Sequence, residues 1–197
     1  AMAMIEISGQ IGEDLTYDDF RKEMQGQSGD IELMINSPGG SVHEGIGIYN
    51  TIAEYSGKVT AYVNGIAASI ASVIAMAADE VVVYQNSQMM IHKAWTVAIG
   101  NSDDFRSLVG VLDILDSDIA RIYSEKTGKP ESAIIDAMSG ETYYTAEQAV
   151  DFGLADSVKI VAKRKQRENA QMPETFSGLS VASVLARASV IRAKVQE

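Results

Sequence analysis

The chain has 197 residues, 46% of them apolar, and no cysteine. This is enough apolar material for a core, so a chain disordered throughout is excluded, and without cysteine there is no disulfide, thiol nucleophile or thiolate metal site, which fits a reducing compartment such as the cytoplasm. The net charge of −11 is uneven, with 8 basic and 24 acidic residues over 1–156 against 8 basic and 3 acidic over 157–197, so the body would repel nucleic-acid phosphate while the tail suits an acidic partner or plain solvent.

In chain order the pattern alternates strand and helix signals and predicts an α/β fold. A strand over Met4–Ser8 precedes a helix over Thr16–Met24, and a strand over Asp30–Asn36 leads into Ser37-Pro38-Gly39-Gly40. A helix over Val42–Tyr55 follows, with Ser41 and Glu44 at capping-box spacing. Next come a strand over Lys58–Val63, a helix over Ile66–Ala77, and strands over Glu80–Tyr84 and Gln88–His92. A long helix is expected over Ser102–Lys126, with Asp103 and Asp104 at the positive end of its dipole and Gly128 and Pro130 closing it. Helices over Glu131–Met138 and Ala146–Phe152 complete the body, the latter with Thr145 and Gln148 at capping-box spacing and Gly153 at its end.

The long helix repeats Phe105, Leu108, Val109, Leu112, Leu115, Ile119 and Ile122 at helical period, and Val111, Ile114, Ala120 and Tyr123 widen that face. A helix wet on one side does not need so broad a stripe, so part of it is expected to meet another subunit. Beyond Asp156 the pattern changes to a basic run, Lys163-Arg164-Lys165-Gln166-Arg167, a break at Met172-Pro173, and an amphipathic helix over Ser180–Gln196. The division is one α/β domain over 4–160 and a basic linker with a C-terminal helix over 161–197. No stretch is long and apolar enough to span a membrane, and Ala1-Met2-Ala3-Met4 lacks the pattern of a secretory signal.

Three runs carry chemistry. Asn64-Gly65-Ile66-Ala67-Ala68-Ser69 puts a serine after small residues at a strand-to-helix junction, where backbone N–H groups are unpaired. Most serines merely pack or cap, and Ser37 and Ser72 are rivals: Ser37 precedes a proline in a turn and Ser72 lies one turn into a helix, so both read as structural. Met89-Met90-Ile91-His92 puts one of only two histidines at a strand end. The other, His43, falls in the first turn of a helix, where an imidazolium is disfavoured. Gly39-Gly40 lets a bound chain approach the backbone, or forms an ordinary tight turn. A glycine N–H there and that of Ile70 would together face an oxyanion. The glycine run lacks the lysine of a phosphate-binding loop.

Ile35-Asn36-Ser37-Pro38-Gly39-Gly40, Gly65-Ile66-Ala67-Ala68-Ser69, Met90-Ile91-His92 and the run from Tyr144 to Asp156 together resemble the ClpP serine peptidase family, over roughly Ile5 to Ile160. The resemblance implies Ser69 as nucleophile, His92 as general base, and Gly40 and Ile70 as oxyanion donors, with Gly39 and Gly40 along the substrate. It implies a stack of strand–strand–helix units with a protruding helical handle, Ser102–Lys126, and a ring-shaped homo-oligomer acting on protein or peptide without metal or organic cofactor. The acid departs from the family's aspartate: the matching position is Glu141, with Asp136 and Asp151 as alternatives. His92-Lys93-Ala94-Trp95, Gly140-Glu141-Thr142-Tyr143-Tyr144 and a start close to the first strand look like the ClpP-like head-maturation peptidases of tailed phages. Those imply capsid or scaffold proteins as substrate, the cytoplasm of the infected host as the place, and an ATP-driven unfoldase as an open question. Two other classes compete. A crotonase-type acyl-CoA enzyme has a similar fold and glycine oxyanion hole but leaves Ser69 and His92 unexplained, and an idle ring would serve only as an assembly scaffold.

Overall fold

The structure, a computed structural model, describes residues 3–161. The basic run and the C-terminal amphipathic helix expected from the sequence lie outside these residues.

A mostly parallel seven-stranded sheet is built from β1 (Ala3–Ile11), β2 (Ile31–Gly40), β3 (Val59–Ala68), β4 (Glu80–Tyr84), β5 (Gln88–Ile91), β6 (Thr142–Thr145) and β7 (Ser157–Lys159). The helices are α1 (Tyr17–Met24), α2 (Val42–Ala53), α3 (Ile70–Ala75), α4 (Ser102–Thr127), α5 (Glu131–Ser139) and α6 (Ala146–Phe152). The expected α/β class is borne out. Ile5, Ile7, Leu33, Ile35, Ala61 and Val63 alternate with wetter neighbours and bury fully against helices, with Phe20 of α1 and Ile48 of α2 in the same core. Among the described residues no helix is long and apolar enough to cross a membrane.

The main path runs β1-β2-β3-β4-β7. Strand β3 forks: Thr60–Val63 pair with β4, whereas Ile66–Ala68 pair with β5. The fork falls at Gly65, whose φ of +114° is left-handed and whose missing Cβ leaves room for Asn36, with an added Cβ meeting Asn36 Oδ1 at 2.3 Å. Asn36 Oδ1 accepts the Ile66 N–H at 3.2 Å, and Ser87 Oγ accepts the Gly65 N–H at 2.8 Å. Two side chains thus satisfy backbone donors that the change of partner strand leaves open.

This fork corrects one expectation. Ile66, Ala67 and Ala68 are strand, not the first turn of a helix, and α3 begins only at Ile70. Of the two readings of Gly39 and Gly40, the tight turn does not form; they extend β2 and sit opposite Gln10 and Ile11 of β1. Pro38 is tolerated there because both register irregularities, Ser8/Gln10 and Ile35/Ser37, fall beside it.

Helix ends follow their chemistry, with one difference. Thr145–Gln148 and Asn101–Asp104 form complete capping boxes. Ser41 caps α2, but the Glu44 carboxylate takes the N–H of Tyr17 instead of reaching back to the cap, tying α1 to α2. Helix α4 divides in two. None of residues 102–115 is buried, and Phe105, Val109 and Ile114 are 46%, 56% and 64% exposed. From Asp116 onward the helix packs on the body through Ile119, Ala120 and Tyr123.

Candidate active site

Parallel pairing of β3 with β5 sets Ala68 beside Met90. One residue beyond the first strand is Ser69, and one beyond the second is His92. Ser69 Oγ and His92 Nε2 are 2.8 Å apart, within reach for direct proton transfer. The Ser69 N–H donates to Met90 O at 2.9 Å, which ties the two strand ends together.

Ser69 itself has φ 55° and ψ −131°, a conformation a residue with a Cβ rarely adopts. Such a residue costs about 1–3 kcal/mol and persists only where its surroundings dictate it. Here it turns the chain sharply from β3 into α3 and presents the hydroxyl in a cleft of about 380 Å³. Gln10, Pro38, Gly39, Gly40, His92 and Trp95 are among the cleft's lining residues.

The glycine pair borders Ser69 because nothing larger fits. A Cβ on Gly39 would lie 2.6 Å from Ser69 Cβ, and one on Gly40 would lie 2.1 Å from Ile11 O; their φ values are +98° and +147°. Ser37 is fully buried and braces the pair, its Oγ donating to Gly9 O at 2.6 Å and accepting the Gly39 N–H at 3.1 Å. It sits in a strand, not in the expected turn, and is structural as anticipated. Ser72 is also fully buried in α3, with its hydroxyl inside a closed network.

The two histidines separate cleanly. His43 lies on α2 in a different and larger cavity, about 620 Å³, between α2 and α4 beside Tyr49, Asp118 and Arg121. The hydrogen-bonded serine–histidine pair lies not there but in the smaller cleft.

The acid is less tightly placed. In the antiparallel pairing of β5 with β6 the last pair is Ile91 with Thr142, and His92 and Glu141 are the next residues beyond it on each chain segment. Glu141 is exposed, has φ 48°, and occupies the turn between α5 and β6. Among the described residues His92 makes its one hydrogen bond to Ser69, not to Glu141. Asp136 lies exposed on α5, and Asp151 opens on another groove with Lys129 and Tyr143.

Sequence reasoning missed a different carboxylate. Asp116 is buried on α4, accepts the Ala94 N–H at 2.8 Å and lies 3.9 Å from Lys93 Nζ. The Lys93 N–H donates to Met138 O of α5 at 3.2 Å, so both residues after His92 are held by helices. Its signal was an acid at the inward register of the apolar stripe, four residues after Leu112 and three before Ile119. Tyr123 is the second such residue: it appears in the stripe as an apolar position, yet its hydroxyl lies 2.8 Å from Ser72 Oγ. Burial pushes the Tyr123 phenol up, so it stays protonated and able to donate.

Comparison with known proteins places the chain among peptidases. The Clp protease family model matches residues 4–162. The chain is 34% identical over 143 residues to an ATP-dependent Clp protease proteolytic subunit 2 of Chlamydia pneumoniae, covering 72% of this chain and 70% of that protein. It is 36% identical over 136 residues to a proteolytic subunit 1 of Chlamydia felis, covering 68% and 67%. An ATP-dependent Clp protease proteolytic subunit of Ligilactobacillus salivarius is 32% identical over 161 residues, covering 79% and 82%.

Proposed function

The chain belongs to the Clp protease family and is a serine-type endopeptidase, and from that premise we propose that Ser69 and His92 carry its reaction, with Glu141 orienting the base. The observation that carries this is the 2.8 Å bond between His92 Nε2 and Ser69 Oγ in a cleft bordered by Gly39 and Gly40. An extended peptide laid along the two glycines brings a carbonyl over Ser69. The Oγ adds to the carbonyl carbon while Nε2 takes its proton, and the oxyanion is met by the N–H groups of Gly40 and Ile70. The C–N bond then breaks, the amine leaves with the proton returned from Nε2, and water repeats the sequence on the ester to free the serine. Because the Gly39 N–H is already committed to Ser37 Oγ, Gly40 is the better donor of the pair.

Glu141→Gln should leave the fold intact and lower turnover, by up to about 10⁴-fold, the scale of the analogous change in a Ser-His-Asp protease. The antiparallel register of β5 and β6 supports this assignment. Full activity in Glu141→Gln, with loss in Asp136→Asn, would move the role to Asp136.

The working unit is a ring of several copies. The relatives are described as proteolytic subunits, and the first half of α4 offers Phe105, Val109 and Ile114 to water, an apolar face that a second copy would cover. A ring restricts the cleft to unfolded chains. Sedimentation velocity at micromolar concentration is expected to show species several times the 21.2 kDa of one chain, which cut a disordered polypeptide internally and spare a folded domain. A monomer fully active on peptides contradicts the ring.

Within the family the reading favoured is a phage head-maturation peptidase cutting capsid or scaffold proteins in the host cytoplasm. It is supported by His92-Lys93-Ala94-Trp95 and by the glutamate in Gly140-Glu141-Thr142-Tyr143-Tyr144.

A further inference from the structure

Ser72 and Tyr123 take no direct part in the chemistry described above, and both are fully buried. The Ser72 Oγ lies 2.7 Å from Ser69 O, 2.8 Å from Met90 O and 2.8 Å from the Tyr123 hydroxyl. A serine has one proton and both carbonyls can only accept, so the arrangement that satisfies every group has Tyr123 donating to Ser72 Oγ and Ser72 donating onward to the carbonyls. No buried side-chain polar atom among the described residues is left without a partner.

The Ser69 carbonyl held in this way belongs to the same peptide unit as the N–H of Ile70. A trans peptide is planar, with C=O and N–H pointing oppositely, so fixing the direction of the carbonyl fixes the direction of the N–H. The Met90 carbonyl, in turn, accepts the Ser69 N–H at 2.9 Å, which restrains the peptide unit on the other side. One buried hydroxyl therefore bridges the restraints on both units flanking the strained serine. Helix α4 supplies the donor that completes the network, and it does so from the half of the helix that packs on the body.

We propose that Ser72 and Tyr123 are positioning residues that aim the Ile70 N–H at the developing oxyanion and hold Ser69 in its left-handed turn. The inference rests on the reading of Ser69 and Ile70 given under Proposed function. It treats the pair as acting through the backbone of Ser69, without touching substrate.

Such a role predicts a change in turnover with little change in binding. An oxyanion donor that is mis-aimed loses part of the roughly 10²–10³-fold it contributes, so Ser72→Ala and Tyr123→Phe should each lower kcat about 10-fold or more with KM within about two-fold. Affinity for a peptide boronate, whose adduct places an oxygen in the oxyanion site, should fall in step with kcat. Because the two side chains act in series, the double variant should be no worse than Ser72→Ala alone. Tyr123→Phe removes only a hydroxyl and is the variant to rely on if Ser72→Ala does not fold. Folded variants with wild-type kcat and boronate affinity overturn the inference, as does a loss confined to KM. Ser69→Ala measured in parallel separates the two readings: activity surviving in Ser69→Ala sinks the site itself, whereas an inactive Ser69→Ala beside a fully active Tyr123→Phe sinks only the positioning role.

Discussion

Ser69→Ala is expected to abolish peptide hydrolysis while leaving the protein folded. Loss of the nucleophile from a serine–histidine unit costs about 10⁶ in rate in a well-studied serine protease, because the remaining groups have nothing to activate. The fold should survive because the change removes one half-buried oxygen whose hydrogen bond is to His92, and the Cβ that packs toward Gly39 stays. The stability change should lie within about 1 kcal/mol, the usual scale for one such hydrogen bond. Hydrolysis in Ser69→Ala above a hundredth of the wild-type rate would remove Ser69 from the reaction.

His92→Ala should be nearly as damaging, and the double variant Ser69→Ala/His92→Ala no worse than either single one. The reason is that serine and base act as one unit: without a proton acceptor 2.8 Å away the hydroxyl is a poor nucleophile. His43→Ala is the control. It changes a residue of the α2–α4 cavity that does not line the cleft of the bonded pair, and should leave turnover within a few-fold of wild type. Equal loss in His43→Ala and His92→Ala, both folded, would contradict the assignment of the base.

The serine and histidine that the structure brings together could be picked out from sequence because their settings are local. A serine after a run of small residues and a histidine ending a short apolar strand are each set by a few neighbours, and two histidines leave little to choose from. The boundaries around them could not be read, because Ile66-Ala67-Ala68 suits a helix start as well as a strand. What decides is β5, whose residues lie 22 positions further along and capture these three once β3 has left β4. The conformation of the glycine pair was open for the same reason: Gly39-Gly40 has turn composition, but β1 lies alongside to keep it extended. Strands β6 and β7 span four and three residues, too short for alternation to register. The stripe on α4 was correct in period, but sequence did not show which part of it faces the body. Structure divides it into an exposed half with Phe105, Val109 and Ile114, and a packed half where Asp116 and Tyr123 do polar work.

The central claim, that Ser69 is the nucleophile activated by His92, is tested most directly by mapping a covalent adduct. The protein is treated with a fluorophosphonate, digested, and the modified residue located by tandem mass spectrometry. The account predicts one adduct, on Ser69, which largely disappears in folded His92→Ala. An adduct on Ser37 or Ser72, or labelling of Ser69 undiminished without His92, would contradict it.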